Sequence, residues 1–391
     1  MEDVQERLRQ ILAERTDTSA DDWFLVYRAR HGMLVVLCEL ARLAGSGEVV
    51  TQLLTCCTAV DPIVAAGLTP IYGDVSPQTL ALDAAALPNL SQVVAIMDQH
   101  TFGYIDQESS SSLRAAANAR SALLLEDCAH CAGRMAMGKD GTPLADVSFH
   151  SFGVEKMLPT YFGGAVWVNP KMADARLHDN LVEALAMLPQ PTGALARAMR
   201  GYRTQIRVLN HLPAAAAHAL RSLLLALGAF EPAISSEELA GGVAHKPLAM
   251  GEWACEQVMG LFEELPQSYP LRVAALASFE RELAGIQGIA TSQRMLRSGQ
   301  PLLRVPVSLP TNAQADAAID AIAHLGLYAV PWYRPLLYPG VSNPEVYGFD
   351  SSLEGLPHTA ELTRGAVALP VDISPEQVSQ VAAVLRQAAR V

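Results

Sequence analysis

Short apolar runs alternate with segments of helical periodicity along the first half of the chain. We predict strands at 49–54, 69–75, 92–98, 122–127, 146–152 and 163–169, and helices at 1–22, 33–43, 59–67 and 113–120. Continuous apolar strands separated by helices are typical of a parallel sheet that is covered on both faces. The pattern therefore predicts the α/β class, with a mostly parallel sheet.

The second half has a different pattern. Residues 171–230 are helical and rich in Ala and Leu, and a stretch rich in Gly, Ser and Glu at 231–245 is expected to form a surface connection. Beyond it we predict a helix at 272–286, strands at 302–309 and 328–332, a helix at 315–326 and a terminal helix. We therefore expect two domains: a large one over 1–240 and a smaller α+β one over 241–391.

Composition narrows the classes of function. Half of the 391 residues are hydrophobic, 17% are charged, and the net charge is −12. An acidic chain is a poor general binder of nucleic acid, because such binding needs Lys and Arg to neutralise phosphates. The charged N-terminus does not resemble a signal peptide, and no apolar run reaches the roughly 18 residues of a spanning helix. We expect a cytoplasmic protein without a membrane anchor, with its six cysteines reduced.

Lysine is scarce, and one of the four lysines has a distinctive setting. Lys139, Lys171 and Lys246 lie in polar loops, whereas Lys156 directly follows an apolar strand, where open α/β sheets bind ligands. Asp127 ends another apolar strand, and a carboxylate there needs a cation or hydrogen-bond donors. A protonated pyridine nitrogen is such a partner, and enzymes that use pyridoxal phosphate (PLP) supply an Asp for it. Taken singly, Lys156 could be a surface lysine and Asp127 a helix N-cap.

Several segments together resemble the DegT/DnrJ/EryC1/StrS family of sugar aminotransferases, a branch of the fold-type I PLP enzymes. The segments are LLLEDCAHCAG, SFGVEKM, FGGAVWVN and the stretch that begins GSGEVVTQLL. The resemblance covers most of the chain and is sharpest between 44 and 170. It implies amino-group transfer to a keto acceptor, a nucleotide-linked keto sugar, and a homodimer with active sites at the subunit interface.

The resemblance also implies roles for individual residues. Lys156 would form the Schiff base with PLP and act as general acid and base, and Asp127 would pair with the pyridine nitrogen. His130 would stand beside the ring near its phenolic oxygen, and Ser151 would contact the phosphate. His100, in the segment DQHTFGY, would lie on the substrate side, although a structural role is an equal alternative.

Other positions depart from the family pattern. The phosphate-binding S-G-T is represented here by His31 with Gly32 and Met33, whose backbone N–H groups could still bind phosphate. Cys56 stands where the family has a ring-stacking aromatic residue, and a Cys covers far less of a ring. Asn210 is the candidate for the Asn that the partner subunit lends to the phosphate. Arg334, after the strand of the small domain, is a candidate substrate contact, with a surface turn as the alternative.

Three other hypotheses remain open at this stage. The same cofactor could serve elimination, decarboxylation or racemisation, or transamination of a non-sugar acceptor. The fold could alternatively serve binding or regulation without catalysis. Cys128-Ala-His-Cys131 could be a redox pair or half of a zinc site, but the sequence has no second ligand pair at suitable spacing.

Overall fold

The computed structural model describes residues 3–89 and 92–390. Within them the strands are β1 (Trp23–Val26), β2 (Glu48–Thr51), β3 (Thr69–Tyr72), β4 (Val93–Gln99), β5 (Leu123–Asp127), β6 (Val147–Ser151), β7 (Gly164–Val168), β8 (Val305–Ser308) and β9 (Ala366–Leu369). The first seven form one sheet in the order β1-β7-β6-β5-β4-β2-β3. β2 to β6 run parallel, whereas β7 is antiparallel to both β6 and β1. The predicted α/β class is confirmed.

Helices lie against the large sheet and also make up much of the C-terminal part. They are α1 (Val4–Thr16), α2 (Ala29–Ala44), α3 (Asp61–Ala65), α4 (Gln107–Ala119), α5 (Ala175–Ala186), α6 (Gly193–His211), α7 (Ala214–Ala226), α8 (Glu252–Leu283), α9 (Gln293–Leu296), α10 (Asn312–His324), α11 (Pro357–Thr363) and α12 (Pro375–Ala388). Successive residues of a strand belong to different hydrophobic cores, one on each face of the sheet. In β7, Val166 packs with α2, and Trp167 packs with α1 and α8. Both faces are therefore apolar, which explains the continuous hydrophobic runs.

Helix α2 is placed closely against the sheet by a glycine. A Cβ added to Gly32 would lie 2.2 Å from Cγ2 of Val166 on β7. The helix ends at Gly45, whose φ of 77° suits a residue without a Cβ. The close contact aligns the N-terminal end of α2 with the carboxyl ends of β5 and β6.

A smaller antiparallel sheet of β8 and β9 forms the core of the C-terminal part. Helices α10 and α12 pack together beside it, and α8 contacts both α12 and α1. The structure thus has a second α+β unit, as predicted. The domain boundary at residue 240 stays a prediction.

Four local predictions need correction. Residues 328–332 form no strand but a single bridge between Val330 and Ala368, because Pro331 lacks an N–H and the chain turns after it. The helix predicted at 272–286 begins at Glu252 and continues through two prolines. Strands β1 and β9 were not predicted. The connection at 231–245 is partly buried, since Glu231 and Glu238 lie in the interior. Within the described ranges, no helix is both long and apolar enough to span a bilayer.

Candidate active site

A cavity opens at the carboxyl ends of β5 and β6, beside the N-terminal end of α2. Ligands of open α/β sheets bind at this edge because neighbouring strand ends and loops converge there. Seven residues singled out from the sequence line it: Met33, Cys56, His100, Asp127, His130, Ser151 and Lys156. The sequence separates these residues by up to 123 positions, so the sheet brings them together.

Lys156 is the one partly buried lysine, since Lys139, Lys171 and Lys246 are exposed. Its Nζ lies 3.0 Å from Nε2 of His130. Burial lowers the pKa of Lys156, against the opposing effect of nearby Cys56 and Asp127. A lowered pKa increases the fraction of the free amine, which is the nucleophilic form of lysine.

The hydrogen bonds of His130 fix the direction of its contact with Lys156. The backbone N–H of Phe102 donates to Nδ1 of His130 at 3.1 Å, which assigns the ring proton to Nε2. Nε2–H can then donate to Lys156 only if Nζ is an uncharged amine. Burial and the nearby charges of Lys156 and Arg304 lower the pKa of His130 well below 6.5, in agreement with a neutral ring. Trp332 stacks on it with 5.7 Å between ring centroids.

Asp127 presents a carboxylate with spare hydrogen-bonding capacity. It is 5% exposed, and its Oδ1 accepts the backbone N–H of Ala129 at 2.9 Å. Burial raises its pKa, while the Ala129 N–H and the charges of Lys156 and His100 lower it. Among the described residues, no donor reaches its second oxygen. A cationic N–H group in the cavity would therefore find an acceptor at Asp127.

His100 has a structural partner behind the cavity. Its Nε2 lies 2.7 Å from Oε1 of Glu126, and both side chains are buried. Glu126 also accepts the backbone N–H of Ala136 at 2.6 Å and the hydroxyl of Ser148. Desolvation opposes the charge of His100, but Asp98 and Glu126 raise its pKa to about 10. This geometry favours the structural alternative for His100, although one side of the residue borders the cavity.

One group of side chains in the described residues has metal-ligand chemistry. His100, Glu126 and Cys128 offer ligand atoms within 4.8 Å of one another. Glu126 already accepts three hydrogen bonds there, so its oxygens are satisfied by protein donors. Cys128 and Cys131 are both buried free thiols. The contacts of His100, Glu126 and Cys128 are therefore explained by hydrogen bonding and packing in the core, without a metal ion.

The N-terminal end of α2 differs from the sequence prediction. The helix starts at Ala29, so Gly32 and Met33 lie beyond its first residues, and Gly32 faces the sheet instead of the cavity. Arg28 and Arg30 line the cavity at this end and were not predicted. Their signal in the sequence was two basic residues just before the apolar run at 33–43.

Carboxylates from the connection at 231–245 balance the two arginines. Arg28 pairs with Glu231 at 3.3 Å, and Arg30 pairs with Glu238. Arg28 also donates to the backbone oxygens of Pro232 and Ala233, at 2.8 and 2.6 Å. These bonds hold the connection over the N-terminal end of α2, which explains its burial.

Aromatic side chains from the small unit enter the cavity beside Cys56. Trp332, Tyr333 and Tyr338 line it. Tyr338 forms an isolated β-bridge with Cys56. The backbone N–H of Cys57 donates to the backbone carbonyl oxygen of Tyr338 at 2.9 Å. The hydrogen bonds from Cys57 and Thr58, with the charge of Lys156, lower the pKa of the Cys56 thiol to about 6 despite its burial.

Besides Gly32, two predicted residues lie outside the cavity lining. Arg334 donates to Asp316 at 2.6 Å, a pairing typical of a surface ion pair. This favours the surface alternative over a substrate contact. Asn210 is exposed on α6, so it has no part in the cavity of its own chain. Its predicted role in a partner subunit stays a prediction.

The fold and site define a class of protein: an α/β fold with a partly buried lysine and a buried carboxylate at the carboxyl edge of its sheet. Solved aminotransferase structures share this fold over nearly the whole chain. DesI, determined with its TDP-sugar product, has a TM-score of 0.67 and 20% identity, covering 99% of this chain and 85% of its own. The PLP form of Spr1654 from Streptococcus pneumoniae has a TM-score of 0.68 and 16% identity, covering 99% and 91%.

Sequence comparison finds similarity to one family within that class. Residues 29–208 match the model of the DegT/DnrJ/EryC1/StrS aminotransferase family, the family that the sequence motifs resemble. GDP-perosamine synthase of Caulobacter vibrioides is 32% identical over 124 residues, which are 31% of this chain. The match spans only about a third of that relative, 33% of its length. Aminotransferases of this family are PLP enzymes.

Proposed function

We propose that this protein is a PLP-dependent aminotransferase that moves an amino group to a keto acceptor, a nucleotide-linked keto sugar. The observation that carries the proposal is the placement of Lys156 and Asp127 in one cavity, at the ends of two adjacent parallel strands. A lysine with a lowered pKa can bind the aldehyde carbon of a pyridine aldehyde, and a buried carboxylate can accept a hydrogen bond from the pyridine nitrogen at the opposite end.

Both ends of the cavity fit the cofactor. The open oxygen of Asp127 suits a protonated pyridine nitrogen, which would also relieve the effect of burial on the carboxylate. Lys156 would hold the aldehyde carbon, and bound PLP supplies an electron-accepting ring. For the phosphate we propose the N-terminal end of α2 with Ala29 and Arg30, together with the Ser151 hydroxyl. This replaces the earlier assignment to Gly32 and Met33.

The hydrogen bonds of the site give Lys156 its role in proton transfer. When Nζ is an uncharged amine, His130 can donate through Nε2 to its lone pair, while Nδ1 of His130 accepts the Phe102 N–H. The ring is therefore fixed in position and stays neutral, so it does not compete with Lys156 for a proton. We propose that Nζ would move a proton between the substrate carbon that bears the amino group and the aldehyde carbon held beside it, taking the proton from one and giving it to the other.

The substrate class rests on relatives. GDP-perosamine synthase is named for a GDP-linked sugar, and DesI was solved with a TDP-sugar product. Both names connect the shared fold with sugars that carry a nucleoside diphosphate. We extend this substrate class to the present chain as part of the proposal.

We also propose a homodimer. Helix α7 is apolar, yet none of its residues is buried in this chain, and Leu223 is 55% exposed. Leu227, just after the helix, is 69% exposed. Exposed apolar surface of this kind marks an interaction site, and a second copy would cover it.

Borohydride reduction tests the central claim. The full-length protein is incubated with PLP, reduced, digested and mapped by mass spectrometry, with Lys156→Arg as the variant and Lys171→Arg as the matched exposed control. We expect the label on Lys156 in the wild type and in Lys171→Arg, and no label in Lys156→Arg. A label on another lysine, or none in the wild type, would refute the proposal.

Stopped-flow absorbance then separates the reaction types. With an amino donor alone, a transaminase accumulates the pyridoxamine form of the cofactor, and we expect that accumulation. Turnover of the donor without it would favour elimination, decarboxylation or racemisation on the same cofactor. Absence of any visible absorbance after PLP addition would favour a binding protein.

A further inference from the structure

Tyr333 is a buried residue with an unused hydroxyl at the cavity wall. Its side chain is 4% exposed and lines the cavity together with Asp127 and Lys156. The hydroxyl makes no hydrogen bond to any residue in the described ranges. A molecule that occupies the cavity can therefore supply the hydrogen-bond partner that the protein does not.

The ring of Tyr333 is held in place by its neighbours. It stacks on Phe102 with 5.7 Å between centroids and on Trp332 with 5.7 Å between centroids. Phe102 in turn donates its backbone N–H to His130, so the ring is linked to the contact that fixes Lys156. The ring of Tyr333 is thus held in place at the wall of the cavity that Asp127 and Lys156 also line.

The segment that carries Tyr333 is tied to the large sheet. Leu337 N–H donates to Leu53 oxygen at 3.2 Å, and Tyr338 N–H donates to Thr55 oxygen at 2.9 Å. These bonds join the segment to the loop after β2, where Cys56 lines the cavity. Burial, with the nearby charges of Cys56 and Asp127, raises the pKa of Tyr333 far above 10, so the phenol stays protonated.

We infer that Tyr333 is a positioning residue that presents its ring to the bound cofactor, so that the small unit supplies the aromatic surface that Cys56 does not. This inference rests on the proposed function, because it concerns PLP at Lys156. An aromatic face contributes through buried area and ring stacking. The hydroxyl is secondary for holding the cofactor and remains available to a substrate.

The inference is tested by titrating full-length protein with PLP and measuring visible absorbance and induced circular dichroism. Tyr333→Leu and Tyr333→Met remove the ring, and we expect binding at least about tenfold weaker, or about 1.4 kcal/mol, with loss of the induced dichroism. Tyr333→Phe keeps the ring, so its dissociation constant should stay within about threefold of the wild type. Met fills irregular space, which preserves a folded variant if Leu does not.

Two further variants separate the ring contact from general destabilisation. Phe279→Leu removes a buried ring of the small unit that does not line this cavity, and the variant should bind PLP like the wild type. Cys56→Phe in the Tyr333→Leu background should recover at least about threefold of the lost affinity. Any of three results would overturn the inference. A folded Tyr333→Leu or Tyr333→Met variant could bind PLP with wild-type affinity, or Tyr333→Phe could lose as much affinity as they do. The third result is that Cys56→Phe recovers no affinity in the Tyr333→Leu background. A wild type that binds no PLP at Lys156 would instead refute the proposed function.

Discussion

The buried pair of His100 and Glu126 allows a quantitative prediction about the support of the cavity. The two side chains are 2% and 1% exposed, and Glu126 also accepts hydrogen bonds from Ala136 and Ser148. Glu126→Ala would leave the imidazole and two further donors without an acceptor. Removal of one partner from a buried ion pair costs about 3–5 kcal/mol, because the other charge stays desolvated.

The pKa of His100 points in the same direction, and it reports the effect of Asp98 together with that of Glu126. Its rise from 6.5 to about 10 occurs against desolvation and is caused by Asp98 and Glu126. A tenfold change in proton affinity corresponds to about 1.4 kcal/mol, so the charged ring is favoured in the folded state by about 5 kcal/mol.

The pH dependence follows from the sign of this change. The folded protein holds the His100 proton more tightly than the unfolded chain, so the contribution to stability is complete below about pH 6.5. It is lost as the pH rises through about 10. Glu126→Gln removes the negative charge of the acceptor, so the pH at which this stability contribution is lost should be lower in the variant.

Urea unfolding at several pH values, followed by circular dichroism, is the assay. The matched control is Glu108→Ala, since the Glu108 side chain is 81% exposed and pairs with Arg294 at 3.0 Å. The control should change the free energy of unfolding by less than about 1 kcal/mol. If Glu126→Ala also changes it by less than about 1 kcal/mol at pH 7, the reasoning about a buried charge pair is wrong.

Three other outcomes are expected. Gly32→Ala should lower the free energy of unfolding in urea by about 1–3 kcal/mol, because the added Cβ would clash with Val166. An unchanged unfolding midpoint would contradict the tight packing of α2 against the sheet. Leu223→Glu combined with Leu227→Glu should turn a dimer into a monomer in light scattering, and a dimer that persists would exclude this surface as the interface. Asp127→Asn should weaken PLP binding by at least about tenfold in an absorbance titration, and wild-type affinity would contradict its role.

Local sequence signals were sufficient for the parts of the site that come from single strands. Asp127 and Ser151 follow continuous apolar runs, and such runs predict β5 and β6 because parallel strands are buried on both faces. Lys156 comes soon after the second run. Since carboxyl ends of parallel strands meet at one edge, their proximity could be expected before the fold was known.

Contacts between distant segments could not be predicted in this way. Arg28 and Glu231 are separated by about 200 residues, and neither residue alone indicates that the other will be buried against it. Tyr333 enters the cavity from a segment without regular structure, where no periodicity marks an inward side chain. The start of α2 was misplaced because the motif was sought at Gly32, whereas Ala29 begins the helix.

The alternation of side chains along β5 gives its two final carboxylates separate tasks. Glu126 is paired in register with Ser148 and binds His100 in the interior, while Asp127 is paired with Phe149 and lines the cavity. Successive strand residues point to opposite faces, so one carboxylate supports the fold and the other is free for a ligand. Glu126→Ala should therefore lower stability strongly, and Asp127→Asn should leave stability almost unchanged while weakening cofactor binding. If both substitutions lowered stability equally, this division of roles along β5 would not hold.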